Sequence, residues 1–529
     1  MKRIEVQVQG GCISGIASAD GAVRAFLGVP YARPPLGDSR WRPPQPVEPW
    51  QGVRRTDAFA PRCFQPSRPG NSISFMGNEP ESEDCLYLNV WTAANTKDER
   101  RPVMVWFHGG AYYLGSGAVP LFHGEQLARK GVILVTLNYR LGRLGFLAHP
   151  ELSKESGHRV SGNYGLLDQI AALRWVQDNI AAFGGDPCRV TAFGQSVGAT
   201  SVNCMMISPL AKGLFHRGIG QSGAALGPVA TSTNTGDSTQ SLDHAEQGGF
   251  AFGRAMGATT AAQLRALPAR ELQMFGRDAG TKGVVDASFA PRGNFDNAYV
   301  VTDGYVMPEG GYECFAGGRQ NDVPLLTGTN ADEAATMRKV KSLQTHIEQS
   351  RAEFGDMADE FFRLYPAATD EEAKRAGQAA IGYRNFIWQN WAWARLHSQS
   401  GKSNTYYYRF TRRPPIAADA RYLEQPARAF GAFHAAEIPY VFRNLGVRNW
   451  PWQALDRTLS DTMSSYWLNF AASGDPNGAG LPAWPVFDAQ SPSTMCFGDS
   501  TAIGPVPDRE KLEFWEAFYA RERRRPNPA

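Results

Sequence analysis

Near the middle of this chain of 529 residues, Gly194-Gln195-Ser196-Val197-Gly198 fits the pattern G-x-S-x-G. An apolar segment, Val190-Thr191-Ala192-Phe193, precedes it and a helix-compatible run, Ala199 to Met206, follows. That context is what constrains the fold. A strand that turns directly into a helix forces the intervening serine into a strained conformation and lifts its hydroxyl to the edge of a sheet, while the flanking glycines let neighbouring backbone pass close by. The pattern therefore predicts an α/β sheet with the Ser196 hydroxyl presented at the sheet edge.

The rest of the chain agrees. Val103 to Phe107 and Val132 to Leu137 are continuous apolar runs, as in strands buried on both faces. Leu166 to Phe183 carries apolar residues at helical spacing and stops at Gly184-Gly185-Asp186-Pro187. Further strands are expected at Val323 to Leu326 and Tyr406 to Phe410, and helices at Leu459 to Ala472 and Arg509 to Arg521. Strands alternating with helices predict a large, mostly parallel central sheet flanked by helices. The first hundred residues, rich in Pro and Gly with short alternating segments such as Ala22 to Leu27, predict an antiparallel portion. The whole chain, 1–529, is expected to be one domain, with a lid or subdomain insertion around 231–319.

Composition narrows the function. A hydrophobic content of 43% and a charged content of 20% suit a globular protein with an ample core. The net charge of +3 is too small and too evenly spread for a nucleic-acid partner. No apolar run reaches the length of a membrane span. Seven cysteines without metal-type pairing, and a start lacking the apolar stretch of a signal peptide, point to a cytoplasmic protein without a metal. The oligomeric state, monomer or dimer, is left open.

Ser196 needs a general base and a group to orient that base. Of the distal histidines, His346 sits among Lys341, Gln344 and Glu348 on what reads as an exposed helix, and His397 precedes a Ser/Gly-rich turn. His434, in Gly431 to Ala436 after a strand, is the best placed. For the acid, Asn330-Ala331-Asp332-Glu333 follows the strand at Val323 and its Thr327-Gly328-Thr329 turn, and the residues alone do not choose between Asp332 and Glu333. His108-Gly109-Gly110-Ala111 directly follows Val103 to Phe107, as an oxyanion loop would, with Val197 N–H as a further donor. A G-x-G-x-x-G match at Gly218 to Gly223, with Asp243 beyond it, is set aside because no helix opens after it to hold a pyrophosphate. No organic cofactor is expected.

At this point the chain resembles the type-B carboxylesterases, the cholinesterase-like branch of the α/β-hydrolases. Among them it is most like the bacterial p-nitrobenzyl-esterase group. The resemblance runs along nearly the whole chain, through Phe26 to Pro35, Ser82 to Val90, Asp168-Gln169, Phe183 to Pro187, Phe433 to Pro439, Gly474 to Asn477 and Trp484-Pro485. It implies an α/β-hydrolase fold and hydrolysis of small to medium aryl or alkyl esters through an acyl-enzyme. By position it implies Ser196 as nucleophile, His434 as base, Glu333 rather than Asp332 as acid, and Gly110, Ala111 and Val197 as oxyanion donors. Ser222 matches a serine near the triad, and Tyr112, Tyr113 and Phe386 are expected to line the substrate pocket. Trp388 and Trp391 are expected in the core. Gln195, Val197, Ala334 and Tyr383 depart from the family's usual residues, and Cys63 and Cys85 match a disulfide pair of secreted relatives. An amidase or carbamate hydrolase could use the same triad. A binding protein without catalysis is the alternative of another class, but such relatives lose a triad member.

Overall fold

The computed structural model describes residues 4–524 apart from 69, 75, 232–238, 276–298, 338–341, 423, 425 and 427–428. Its strands, in chain order, begin with β1 (Ile4–Val8), β2 (Gly11–Ala17), β3 (Arg24–Pro30), β4 (Val53–Arg55), β5 (Tyr87–Thr92), β6 (Arg101–Phe107), β7 (Ile133–Leu137), β8 (Gly185–Gln195) and β9 (Arg217–Gln221). Three short ones follow, β10 (Val229–Ala230), β11 (Thr239–Ser241) and β12 (Val301–Thr302), then β13 (Leu325–Asn330), β14 (Thr405–Phe410), β15 (Ser493–Phe497) and β16 (Thr501–Pro505). Thirteen of them form one sheet in the order β1-β2-β3-β5-β7-β6-β8-β9-β13-β14-β15-β16, with β4 paired to β2. From β7 to β15 every neighbouring pair is parallel, while β1, β2, β3 and β5 run antiparallel to their neighbours on the path. The expected mostly parallel sheet with an antiparallel N-terminal part is thus present.

The central strands are apolar because both of their faces are covered. Val103, Val105 and Phe107 of β6 point into one buried cluster with Val176 and Val202 from the helices Tyr164–Asn179 and Val197–Ile207. Met104 and Trp106 point into the other, with Leu459, Met463 and Trp467 from the helix Ala454–Ser473. This alternation is the period-2 geometry of a strand. The two helical layers clamp the sheet and leave the C-terminal ends of β6, β8, β13 and β14 on one edge.

One boundary differs from expectation. Thr327-Gly328-Thr329, read as a turn, continues β13 as far as Asn330. Gly328 is a strand residue packed under an aromatic side chain: a Cβ there would come within 2.3 Å of the Tyr408 ring. Much of the insertion expected around 231–319 falls on 232–238 and 276–298, outside the described residues. Its described parts form the helices Leu242–Ala255, Ala261–Ala266 and Ala269–Met274, and β10, β11 and β12 make a small parallel sheet. Among the described residues, no helix is long and apolar enough to cross a membrane. Cys63 and Cys85 are buried free thiols, and contact with Cys63 together with burial pushes the Cys85 thiol well up.

Candidate active site

Ser196 sits between β8 and the helix Val197–Ile207 with φ 59° and ψ −129°, a conformation that a residue with a side chain seldom adopts. It is held there from both sides. Ser196 N–H donates to Gln221 O on neighbouring β9 at 2.8 Å, and Thr200 N–H donates back to Ser196 O at 3.0 Å. The close approach that this turn needs falls at Gly198, where a Cβ would lie 2.0 Å from Phe107 O of β6.

His434 lies in the long loop after β14, on a tight turn closed by Ala436 N–H donating to Phe433 O at 3.0 Å, with Ala435 left-handed at φ 74°. This loop is anchored to the end of β13. Asp332 N–H donates to Ala432 O at 3.0 Å, and Asp332 Oδ2 accepts the Ala432 N–H at 2.8 Å. Asp332 is therefore spent on backbone. Glu333, buried at 1% exposure, turns the other way. Its Oε2 accepts His434 Nδ1–H at 2.6 Å, and its Oε1 accepts Asn330 N–H at 2.7 Å. Because a carboxylate can only accept, the ring proton sits on Nδ1 and the lone pair is left on Nε2. Among the hydrogen bonds of the described residues, none joins Ser196 to His434. The neighbour of Nε2 is Gln195 Nε2, at 3.1 Å.

The segment after β6 is a tight loop in which Gly110, Ala111 and Tyr112 have φ of 111°, 57° and 61°. Gly110 O accepts the N–H groups of both Tyr113 and Leu114 at 2.9 Å. Among the described residues, the N–H groups of Gly110, Ala111 and Val197 have no hydrogen-bond partner. His108 does not titrate usefully: burial pushes its imidazole down to about 4, its Nδ1–H donates to Gly109 O at 2.8 Å, and its ring stacks on Tyr139 at 4.4 Å.

The other expected residues divide. Phe386 lies in a single π-helical turn, Tyr383–Ile387, and its ring is 4.3 Å from that of His434. Tyr112 is not an exposed wall. It is fully buried in the main core, with its hydroxyl 3.1 Å from Ser201 Oγ, and supports the loop from beneath. Tyr113 is half-buried against the same core. Ser222, directly after Gln221, is buried in a left-handed conformation, and its Oγ has no hydrogen-bond partner among the described residues. Trp388 is fully buried and Trp391 half-buried. Ala334 packs with Met337 and Phe386, while the Tyr383 hydroxyl donates to Asp508, toward the C-terminal segment.

Two histidine readings need comment. His346 is buried, not exposed, because it shares a helix face with Ser350 and Phe354 at four-residue spacing. His397 Nε2–H donates to Val323 O at 2.9 Å, within the core. Neither meets a carboxylate beside Ser196.

Sequence reasoning missed Asn330 and Glu437. Asn330 holds Glu333 through its backbone and Glu437 through its side chain, Nδ2 donating to Glu437 Oε2 at 2.6 Å. Gln221 Nε2 donates to Glu437 Oε1 at 3.0 Å. Burial, then the nearby Glu333 carboxylate, push Glu437 up from the ordinary carboxylate range. A lone carboxylate in the apolar run Ala435 to Val441 was the available signal. Among the described residues, no group of His, Cys, Asp or Glu is arranged to hold a metal ion.

A serine hydroxyl on a strained elbow, an imidazole tied through Nδ1 to a buried carboxylate, and a loop of unpartnered N–H groups suit attack on an acyl carbon and stabilisation of an oxyanion. Comparison with known proteins points the same way. The model of the carboxylesterase family matches residues 2–515. The fumonisin B1 esterase of Sphingopyxis macrogoltabida is 38% identical over 509 residues, covering 94% of this chain and 86% of that protein. The para-nitrobenzyl esterase of Bacillus subtilis is 33% identical, covering 96% and 97%. A solved PNB esterase structure superposes with a TM-score of 0.78 at 32% identity, covering 97% of this chain and 99% of its own. The chain belongs to the carboxylesterase family, has the α/β-hydrolase fold of the PNB esterases, and is a carboxylic ester hydrolase.

Proposed function

We propose that Ser196, His434 and Glu333 are the catalytic triad of this esterase and that small to medium alkyl or aryl esters are its substrates. The observation that carries the reading is the 2.6 Å contact from His434 Nδ1 to Glu333, which leaves Nε2 as the proton acceptor next to the elbow. As the Ser196 Oγ–carbon bond forms, the hydroxyl proton passes to His434 Nε2 and the carbonyl oxygen becomes an oxyanion facing the N–H groups of Gly110, Ala111 and Val197. Collapse breaks the carbon–oxygen bond to the alcohol, which leaves with that proton. A water molecule then repeats the sequence on the acyl-enzyme, releasing the acid and restoring Ser196. Ser222 is read as support behind the triad and Phe386 as a pocket wall. The names of the relatives, one an esterase of fumonisin B1 and one a para-nitrobenzyl esterase, support ester substrates of moderate size. Seven free thiols support a reducing, cytoplasmic setting.

Replacing Ser196 by Ala tests this. Hydrolysis of p-nitrophenyl acetate should fall by about 10^3-fold or more with the melting temperature unchanged, and a phosphonate reagent should no longer label the protein. Near-normal turnover by the purified variant would remove Ser196 from the mechanism.

A further inference from the structure

Gln195 is 3% exposed, and its side chain is aimed at the imidazole that the triad reading makes the base. Its Nε2 lies 3.1 Å from His434 Nε2 and 3.4 Å from Nδ1, so the amide sits over the ring and nearer the nitrogen that must take the proton. On its other side, a Cβ at Gly109 would come within 3.1 Å of both Gln195 Oε1 and Ser196 Cβ. The side chain is thus wedged between the loop after β6 and the base. Glu333 holds Nδ1, and the Phe386 ring packs 4.3 Å from the imidazole.

We propose that Gln195 is a positioning residue for His434, and that as an uncharged N–H donor it keeps the resting imidazole in its neutral, proton-accepting form. The chemistry is simple. The positive, N–H end of the amide dipole lies against the face of the ring, within 3.4 Å of both ring nitrogens, and so opposes a second proton on the ring, whereas a carboxylate in the same place would favour the imidazolium.

The ionisable groups around His434 are Glu333 on Nδ1, Asp332 at the end of β13, and Glu437 three residues along its own loop, while the π-helical turn meets the ring with the uncharged Phe386. The elbow brings none. All three stay the same when residue 195 is changed, so differences between variants report on residue 195.

The experiment compares the pH dependence of kcat/KM for p-nitrophenyl butyrate in wild type, Gln195→Met and Gln195→Glu. Met keeps the bulk and removes the donor; Glu replaces the donor with a charge. The acid limb should move to higher pH in both, by about half a pH unit for Met and by about one unit or more for Glu. Plateau kcat should fall by about tenfold in Gln195→Met, with KM changed by less than about threefold. Should Gln195→Glu fail to fold, Gln195→Met decides alone. Acid limbs that superpose, or a rise in KM without a shift in the limb, would overturn the proposal. So would a shift in Gln195→Glu alone, since an added charge acts whether or not the native amide does. The proposal rests on the triad reading, and the two fail differently: if the triad is wrong, Ser196→Ala stays active, whereas if only this proposal is wrong, Ser196→Ala is inactive and the limbs coincide.

Discussion

Asp332 and Glu333 differ by one methylene and one position, yet one carboxylate ties two backbone segments together and the other meets the imidazole. Each follows from geometry. Asp332 is short enough to take the Ala432 N–H at 2.8 Å, and the longer Glu333 reaches His434 while Asn330 N–H pins its second oxygen. In the proposed triad, losing the charge at Glu333 removes both the orientation and the stabilisation of the imidazolium that would form during attack. Glu333→Gln should lower kcat by about 10^2-fold or more with little loss of stability. Asp332→Asn should cost less than about tenfold, through loop position alone. Steady-state kinetics on the two purified variants check this, and the reverse order would assign the acid to Asp332.

The elbow and the loop after β6 work as elements because they are pressed together. Gly198 lies against Phe107 O so closely that any side chain must part the helix Val197–Ile207 from β6. Gly198→Ala should therefore destabilise by about 1–3 kcal/mol and, if Val197 N–H is the oxyanion donor proposed above, lower activity as well, since the shift carries that N–H with it. Gly157, with open space around its Cβ position, is the control, and Gly157→Ala should stay within about 0.5 kcal/mol of wild type. Thermal melts of both decide; equal effects would mean that the contact at Gly198 does not matter. The π-helical turn Tyr383–Ile387 is a third element at the site, and it brings Phe386 against the His434 imidazole.

Across the whole molecule, burial governs the response to acid. His108, His123, His149, His216, His346 and His397 are all pushed down from the ordinary histidine value, in each case first by burial. The unfolded chain then takes up protons near pH 6.5 that the folded chain refuses. Stability is full above that value and is lost as pH falls, in the case of His108 until about pH 4. Buried carboxyls pushed upward, Glu437 and Asp303, act in the opposite sense over part of that range. His108 alone should account for about 2 kcal/mol between pH 7 and pH 5. The melting temperature should fall between those values, and fall less in His108→Gln; parallel slopes would refute the assignment.

What the sequence determined by itself is what short-range physics writes into neighbouring residues. Apolar runs buried on both faces mark β6, β7 and the end of β8, and the pattern around Ser196 marks the turn from strand to helix. Gly184, left-handed at φ 86°, ends the helical stretch as Gly-Gly-Asp-Pro predicts. Thr327-Gly328-Thr329 was misread because a glycine in a strand and a glycine in a turn look alike until Tyr408 is seen beside it. His346 was misread because Gln344 and Glu348 of the same helix lie on its exposed side. Tertiary structure alone decided the rest: that Tyr112 lies under the loop, that Asn330 and Glu437 stand behind Glu333, and that Gln195 reaches the His434 imidazole. These depend on contacts between Gln195, Asn330, Glu333 and His434, as many as 239 positions apart, and such contacts leave no local pattern because they exist only once the sheet has brought the strand ends together.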